Sequence, residues 1–164
     1  MSSAGEQGTE FADYIQEVLN QEYSRRDSVN GRATAATTAA TGLVTITLAV
    51  IAVLKGKDFT LHGWAYRTLV GAFVALLAAA ILGVLAGLTW GYKVATIDTL
   101  RQLVGSRWQS TEVTARSAVA QFNVRAIETL RRGNNTKFKL LTASAWCQVL
   151  ALIALGATAL LAVR

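Results

Sequence analysis

The chain has 164 residues, 52% of them hydrophobic and only 16% charged, with a formal net charge of +6 and a sequence pI of about 9.9. Soluble globular domains carry roughly 25% charged residues, so an ordinary soluble domain is excluded. So basic a balance would point to nucleic acid in a soluble protein, but here the basic residues flank apolar stretches, as expected beside a membrane, and no nucleic-acid partner is expected.

Three stretches, Ala33 to Leu54, Thr68 to Tyr92 and Leu140 to Val163, contain no Asp, Glu, Lys, Arg or His. Each has about 22 to 25 residues, long enough as a helix to cross a hydrocarbon core of roughly 30 Å. The expected fold class is therefore an all-α integral membrane protein with three transmembrane helices and cytoplasmic amphipathic helices. The expected division is residues 1–32 as a cytoplasmic amphipathic helix, 33–54 as the first span, 55–67 as a short external loop, 68–92 as the second span, 93–139 as a basic cytoplasmic helical connector and 140–163 as the third span. Cys147, the single cysteine, lies in the third span, so an intramolecular disulfide is excluded. The absence of proline fits unkinked spans and long helical connectors.

In the N-terminal tail, Phe11, Ile15, Val18 and Leu19 recur at helical spacing opposite Asp13, Glu17 and Glu22. This apolar stripe is expected to pack on the connector, because an acidic helix is repelled by an anionic membrane surface. A polar tail of about 32 residues precedes the first span, so that span reads as a retained anchor and not as a cleaved signal. Thr34, Thr37, Thr38, Thr41 and Thr45 share one side of the first span. They either face a polar interior or line a pore, or else bond the carbonyls of their own preceding turn. His62, in the short loop, reads as a solvated residue and not as a ligand.

The second span carries the sharpest pattern: Gly71, Ala75, Ala79, Gly83, Gly87 and Gly91 fall four residues apart. Small residues let helices approach closely in lipid, so this row is expected to be a helix-packing seam, either within the chain or between subunits. The connector is expected to be helical with an interruption at Gly105-Ser106, then a stripe of Ala115, Val119, Phe122, Ala126 and Leu130 suited to a helical bundle in an oligomer. Gly133-Asn134-Asn135 reads as a break before the third span. Gln148, inside that span, is the best candidate for a polar contact between helices. Acidic residues concentrate in the tail and basic ones in the connector; the two sets either pair or simply face water.

Arg25, Arg26 and Arg32 precede the first span, and nine Lys and Arg residues fill the connector, against Lys55, Lys57 and Arg67 in the short loop and Arg164 at the end. The positive-inside rule then places the N-terminus in the cytoplasm and the C-terminus outside. Trp64, Tyr66, Trp90 and Tyr92 sit at span ends, where aromatic rings anchor at the interface. No metal-ligand cluster, intramembrane carboxylate, phosphate-cradling glycine loop or nucleophile-base constellation occurs in the sequence, so no enzyme activity, catalytic residue, metal or cofactor is expected.

A charged helix running into the first span, Tyr23-Ser24-Arg25-Arg26-Asp27 through Gly31-Arg32-Ala33, and a polar helix running into the last, Asn135-Thr136-Lys137-Phe138-Lys139-Leu140-Leu141, complete the architecture. In its order of parts the chain resembles the small membrane effectors of bacterial anti-phage systems, the Pycsar transmembrane effectors and SLATT-type proteins. A third span departs from the SLATT pattern, and an appended nucleotide-sensing domain is not expected. The resemblance implies a homo-oligomer in the bacterial inner (plasma) membrane that responds to a cytoplasmic protein or nucleotide signal and impairs the lipid bilayer, as a pore-forming assembly would. The alternatives are a non-catalytic adaptor that docks a partner through its cytoplasmic helices and a holin-like lysis protein.

Overall fold

The computed structural model describes residues 8–55, 63–88, 97–105 and 108–163. They form four helices: α1 (Thr9–Lys55), α2 (Trp64–Gly87), α3 (Ile97–Val104) and α4 (Glu112–Val163), with no strand among the described residues. The fold is all-helical, and α1, α2 and α4 are each long and apolar enough to cross a membrane. Of the residues singled out in the sequence, Lys57, His62, Trp90, Gly91, Tyr92, Ser106 and Arg164 lie outside the described residues.

Two helices are far longer than any span. α1 runs for 47 residues and α4 for 52, each carrying a polar segment directly into an apolar one. No proline interrupts either of them. The break expected at Gly133-Asn134-Asn135 is absent, and α4 continues through it. Glycine costs a helix interior only about 1 kcal/mol relative to alanine. Here Asn134 and Asn135 both bond to α1, which offsets that cost. The chain does turn near Gly105, whose N–H bonds the Arg101 carbonyl at 2.8 Å and whose own carbonyl accepts from Trp108. Thr111 then caps α4, its hydroxyl oxygen accepting the Thr114 N–H at 3.4 Å. Before α2, Gly63 adopts a φ of 63°, a conformation that glycine takes without a steric penalty.

The chain divides into two compact units, Met1–Ser28 with Thr89–Asn135, and Val29–Leu88 with Thr136–Arg164. In the first, α1 and α4 run parallel, since Gln16 meets Asn123, Glu22 meets Arg131 and Arg25 meets Asn135. Leu19, Ile127 and Leu130 form its buried apolar cluster, flanked by Ile15, Val18, Tyr23 and Ala126. The tail's apolar stripe therefore packs on the connector from Ile15 onward, whereas Phe11 stays exposed. Ala126 and Leu130, expected to serve a bundle between copies, are engaged within the chain.

In the second unit α1 and α4 again run parallel, with Asn30 meeting Lys137 and Ala36 meeting Gln148. α2 runs antiparallel to both: Gly83 and Gly87 approach Thr37 and Ala33, while Ala79 and Thr68 meet Ser144 and Thr158. Two parallel helices with an antiparallel one between them in sequence is the arrangement that three successive crossings of one layer require. The buried faces are built from small residues, among them Ala33, Ala40, Ala72, Ala79, Ala86 and Ala151.

Candidate functional site

The candidate site is the set of polar contacts that ties α1, α2 and α4 together inside the apolar unit. Alternating steps of three and four residues place it. On α2 the buried positions are Ala65, Ala72, Leu76, Ala79, Gly83 and Ala86, which follow a repeat of 3.5 residues. On α4 the buried Ser144, Ala151 and Thr158 lie seven apart, and on α1 the buried Ala33, Ala40 and Thr47 do the same. A strict seven-residue period keeps one face turned toward a partner helix along its whole length.

The row expected at strict four-residue spacing behaves differently. Four steps of a 3.6-residue helix overshoot a full turn by about 40°, so such a row winds around the helix. Ala79 and Gly83 fall on the buried face, Ala75 is half-buried, Gly87 is exposed, and a side chain at Gly71 would meet open space. Within the chain the row is thus not a single packing face. Gly83 is its critical member, because a Cβ there would come within 2.6 Å of the Thr37 hydroxyl oxygen. At Gly87 the nearest atom to such a Cβ would be that of Ala33, at an ordinary 3.8 Å.

Close approach exposes backbone carbonyls of one helix to side chains of the next. Ser144 donates from its hydroxyl to the Ala79 carbonyl at 2.8 Å in a fully buried position. Gln148 donates from Nε2 to the Ala36 carbonyl at 3.0 Å, making the polar contact between helices expected of it, within one chain. A helix carbonyl has two lone pairs, so each can accept a side-chain donor besides its own helical bond. Near one end of the unit, Thr68 and Thr158 share a hydrogen bond of 2.8 Å. Near the other, the buried Lys137 donates from Nζ to Asn30 Oδ1 at 2.7 Å.

The threonines of the first span mostly bond their own helix. Thr34, Thr37, Thr41 and Thr45 donate to the carbonyls of Asn30, Ala33, Thr37 and Thr41 at 2.9 to 3.2 Å. Thr34, Thr38, Thr41 and Thr45 are exposed on α1, and Thr37 is half-buried against Gly83. They do not line an interior cavity of the single chain.

In the other unit the polar contacts are charged. Glu22, nearly buried, accepts from Arg131 Nε at 3.0 Å and from Asn134 Nδ2 at 3.2 Å, with Arg25 3.7 Å away. Asn134 Nδ2 also donates to the Glu22 carbonyl at 3.1 Å. Both partners are acceptors, which fixes the amide orientation. Asn134 Oδ1 is buried without a hydrogen-bond partner. Of the two readings of the tail and connector charges, pairing holds for Glu22 with Arg131.

Ser144, Thr158, Lys137 and Asn30 were not singled out as contact residues from sequence. For the three on α4 the signal was the seven-residue spacing of Lys137, Ser144, Ala151 and Thr158, which four-residue spacing passes over; Asn30 carried none. Among the described residues no group of three or more His, Cys, Asp or Glu is placed to hold a metal ion. No protein-family model, curated protein or solved structure matches the chain.

Proposed function

We propose that this chain is an integral membrane protein of the bacterial inner membrane. It oligomerises and impairs that membrane as an effector of anti-phage defence. One observation carries the membrane part of the reading: the unit of Val29–Leu88 with Thr136–Arg164 is apolar outside and mostly small or polar within. Ile46, Val74, Ile81, Trp146, Ile153 and Leu160 are all exposed, while Ser144, Ala72, Ala79 and Ala151 are buried. So many exposed large apolar side chains are costly in water and are expected in lipid, where packing of small residues and hydrogen bonds between helices supply the cohesion.

The parallel course of α1 and α4 supports a cytoplasmic N-terminus and an external C-terminus, because in both helices a basic segment leads into the apolar stretch in the same direction. The assembly and defence parts rest on the architectural resemblance to Pycsar and SLATT-type effectors. Packing within the chain occupies the Gly83 face of α2 but leaves small residues of α1 open: Gly31, Ala35, Thr38, Gly42, Thr45 and Ala49 are exposed and alternate by four and three. A second copy would meet this face, and a cytoplasmic protein or nucleotide signal would act on the polar unit.

The test is a potential-sensitive dye in cells expressing the full chain or Gly42→Ile at matched levels, with native neighbouring genes and under phage challenge. A Cβ at Gly42 meets nothing in the single chain, so the variant should fold. The effector reading expects depolarisation by the full chain and its loss in Gly42→Ile. No depolarisation under any of these conditions leaves the adaptor reading, which the exposed Phe11 and Tyr14 favour. Phe11 and Ala12 line a shallow groove of about 210 Å³ together with Val113, Arg116 and Ala120, a surface on which a partner helix could dock.

A further inference from the structure

α3 has no buried residue, yet its sequence is strongly two-sided. At about 100° per residue, Ile97, Leu100, Leu103 and Val104 fall within one arc of about 120°, and Asp98, Thr99, Arg101 and Gln102 fill the rest. Leu103, at the edge of that arc, lines a cleft of about 370 Å³ with Trp108, Ala115, Ala118 and Val119 of the same unit. The remainder of the apolar face is uncovered: Ile97 and Val104 are each 69% exposed and Leu100 50%.

We infer that this face of α3 lies in the headgroup region of an anionic lipid bilayer. The inference rests on the membrane reading above and extends it to a segment that spans nothing. Chain continuity argues for lipid: Ile97 follows Leu88, next to the end of α2, by nine residues, so it stays within about 30 Å of that helix end even at full extension. The intervening sequence carries Trp90 and Tyr92, residue types that anchor at the interface. Charge argues the same way. From Thr89 to Ser110 the chain has Lys93, Arg101 and Arg107 against Asp98 alone, a balance of three minus one, or +2. Within α3 Arg101 pairs with Asp98 at 3.6 Å, so the excess comes from Lys93 and Arg107, which flank the helix in sequence; basic flanks favour an anionic leaflet, in contrast to the acidic tail helix.

The test uses the full chain carrying Cys147→Ser, reconstituted in vesicles of phosphatidylcholine with or without phosphatidylglycerol. A single cysteine is introduced as Leu100→Cys, Gln102→Cys or Leu152→Cys and labelled with an environment-sensitive fluorophore. Quenching is read with aqueous iodide and with nitroxide lipids. The expected result is iodide quenching at position 100 at least about threefold weaker than at position 102, with shallow-nitroxide quenching at position 100 that strengthens with phosphatidylglycerol. Equal iodide access at both positions, while position 152 is quenched by deep nitroxide, overturns the inference and leaves the membrane reading standing. Shielding at position 100 without nitroxide quenching means that protein covers the face, and it overturns the inference as well. If position 152 escapes deep nitroxide, the membrane reading itself fails and this one fails with it.

Discussion

The same two helices, α1 and α4, build both units, and they solve two different problems with one geometry. In the unit of Met1–Ser28 with Thr89–Asn135 they hold each other through charged and amide side chains around a small apolar cluster. In the unit of Val29–Leu88 with Thr136–Arg164, Ser144 and Gln148 donate to backbone carbonyls, Thr68 bonds Thr158, Lys137 meets Asn30, and most large apolar side chains, Leu76 excepted, point away. The seven-residue period is common to both. What changes is the chemistry on it, as water on one side and lipid on the other would require. In water, burial of Leu19, Ile127 and Leu130 contributes about 1.5–3 kcal/mol per side chain. In lipid that drive is absent, so close approach of small residues has to replace it. The two units should therefore fail through different kinds of substitution.

The largest effect is expected at Gly83. An isoleucine there must displace Thr37, whose hydroxyl oxygen would lie 2.6 Å from the new Cβ and whose backbone would lie 3.5 to 3.6 Å from it. Overpacking of this kind costs about 3 kcal/mol, enough to lower folded yield and unfolding resistance sharply in mild detergent. Gly71→Ile is the control, because a Cβ there meets open space and the change should stay within about 0.5 kcal/mol. Equal sensitivity at the two positions would mean that α2 packs with another face in the membrane.

The charged clasp comes next. Glu22→Ala leaves Asn134 buried with one of its two acceptors gone and removes the partner of Arg131. The expected loss is about 2 kcal/mol, in the range for a hydrogen-bonded buried charge. Arg131→Ala should cost about 1 kcal/mol or less, since its side chain is more than half exposed and its charge is screened. Chemical unfolding of the reconstituted protein, with both single variants and the double, measures the coupling. Additive losses would mean that the pair does not interact in solution.

In the apolar unit, Ser144→Ala and Gln148→Leu each remove one donor to a carbonyl of a neighbouring helix. Such bonds in membranes contribute about 0.6 to 1.7 kcal/mol. Ser144 reaches α2 and Gln148 reaches α1, so the two losses should add within about 0.5 kcal/mol. Unfolding in bicelles by steric trapping resolves differences of this size.

Much of this architecture was legible in the sequence and some was not, for physical reasons. The three charge-free runs marked the helices long and apolar enough to cross a membrane, and the tail stripe from Ile15 to Leu19 marked a packed face. Gln148 was legible because an amide cannot satisfy itself within an apolar helix. Ser144 was not, since a serine hydroxyl can bond its own preceding turn and only the partner helix decides otherwise. Gly133-Asn134-Asn135 misled because local propensity marks a helix end there, whereas bonds from Asn134 and Asn135 to α1 carry the helix through. The small-residue row of α2 marked Ala79 and Gly83 correctly but not the rest of the face packed within the chain: four-residue spacing is conspicuous, while that face alternates three and four.

The smallest effect is expected along the threonines of α1. Thr41 and Thr45 are exposed, and each donates to a carbonyl of its own helix, at 2.9 and 3.0 Å. Threonine and valine have nearly the same shape, so Thr41→Val with Thr45→Val removes only these local bonds. The carbonyls they contact remain free to accept their helical N–H, and the change in unfolding free energy should be within about 0.5 kcal/mol. That near-neutral value applies to the isolated chain in dilute detergent. The same pair of substitutions in a densely reconstituted bilayer asks a different question, because the open face of α1 would there meet a second copy. A loss above about 1 kcal/mol that appears only at high protein-to-lipid ratio would show the hydroxyls bonding across copies. A loss already present in dilute detergent would instead place a partner for them inside the chain, contrary to the packing of α1 described above. No change at either density would leave the threonines as lipid-facing residues satisfied by their own backbone, and would remove them from any pore.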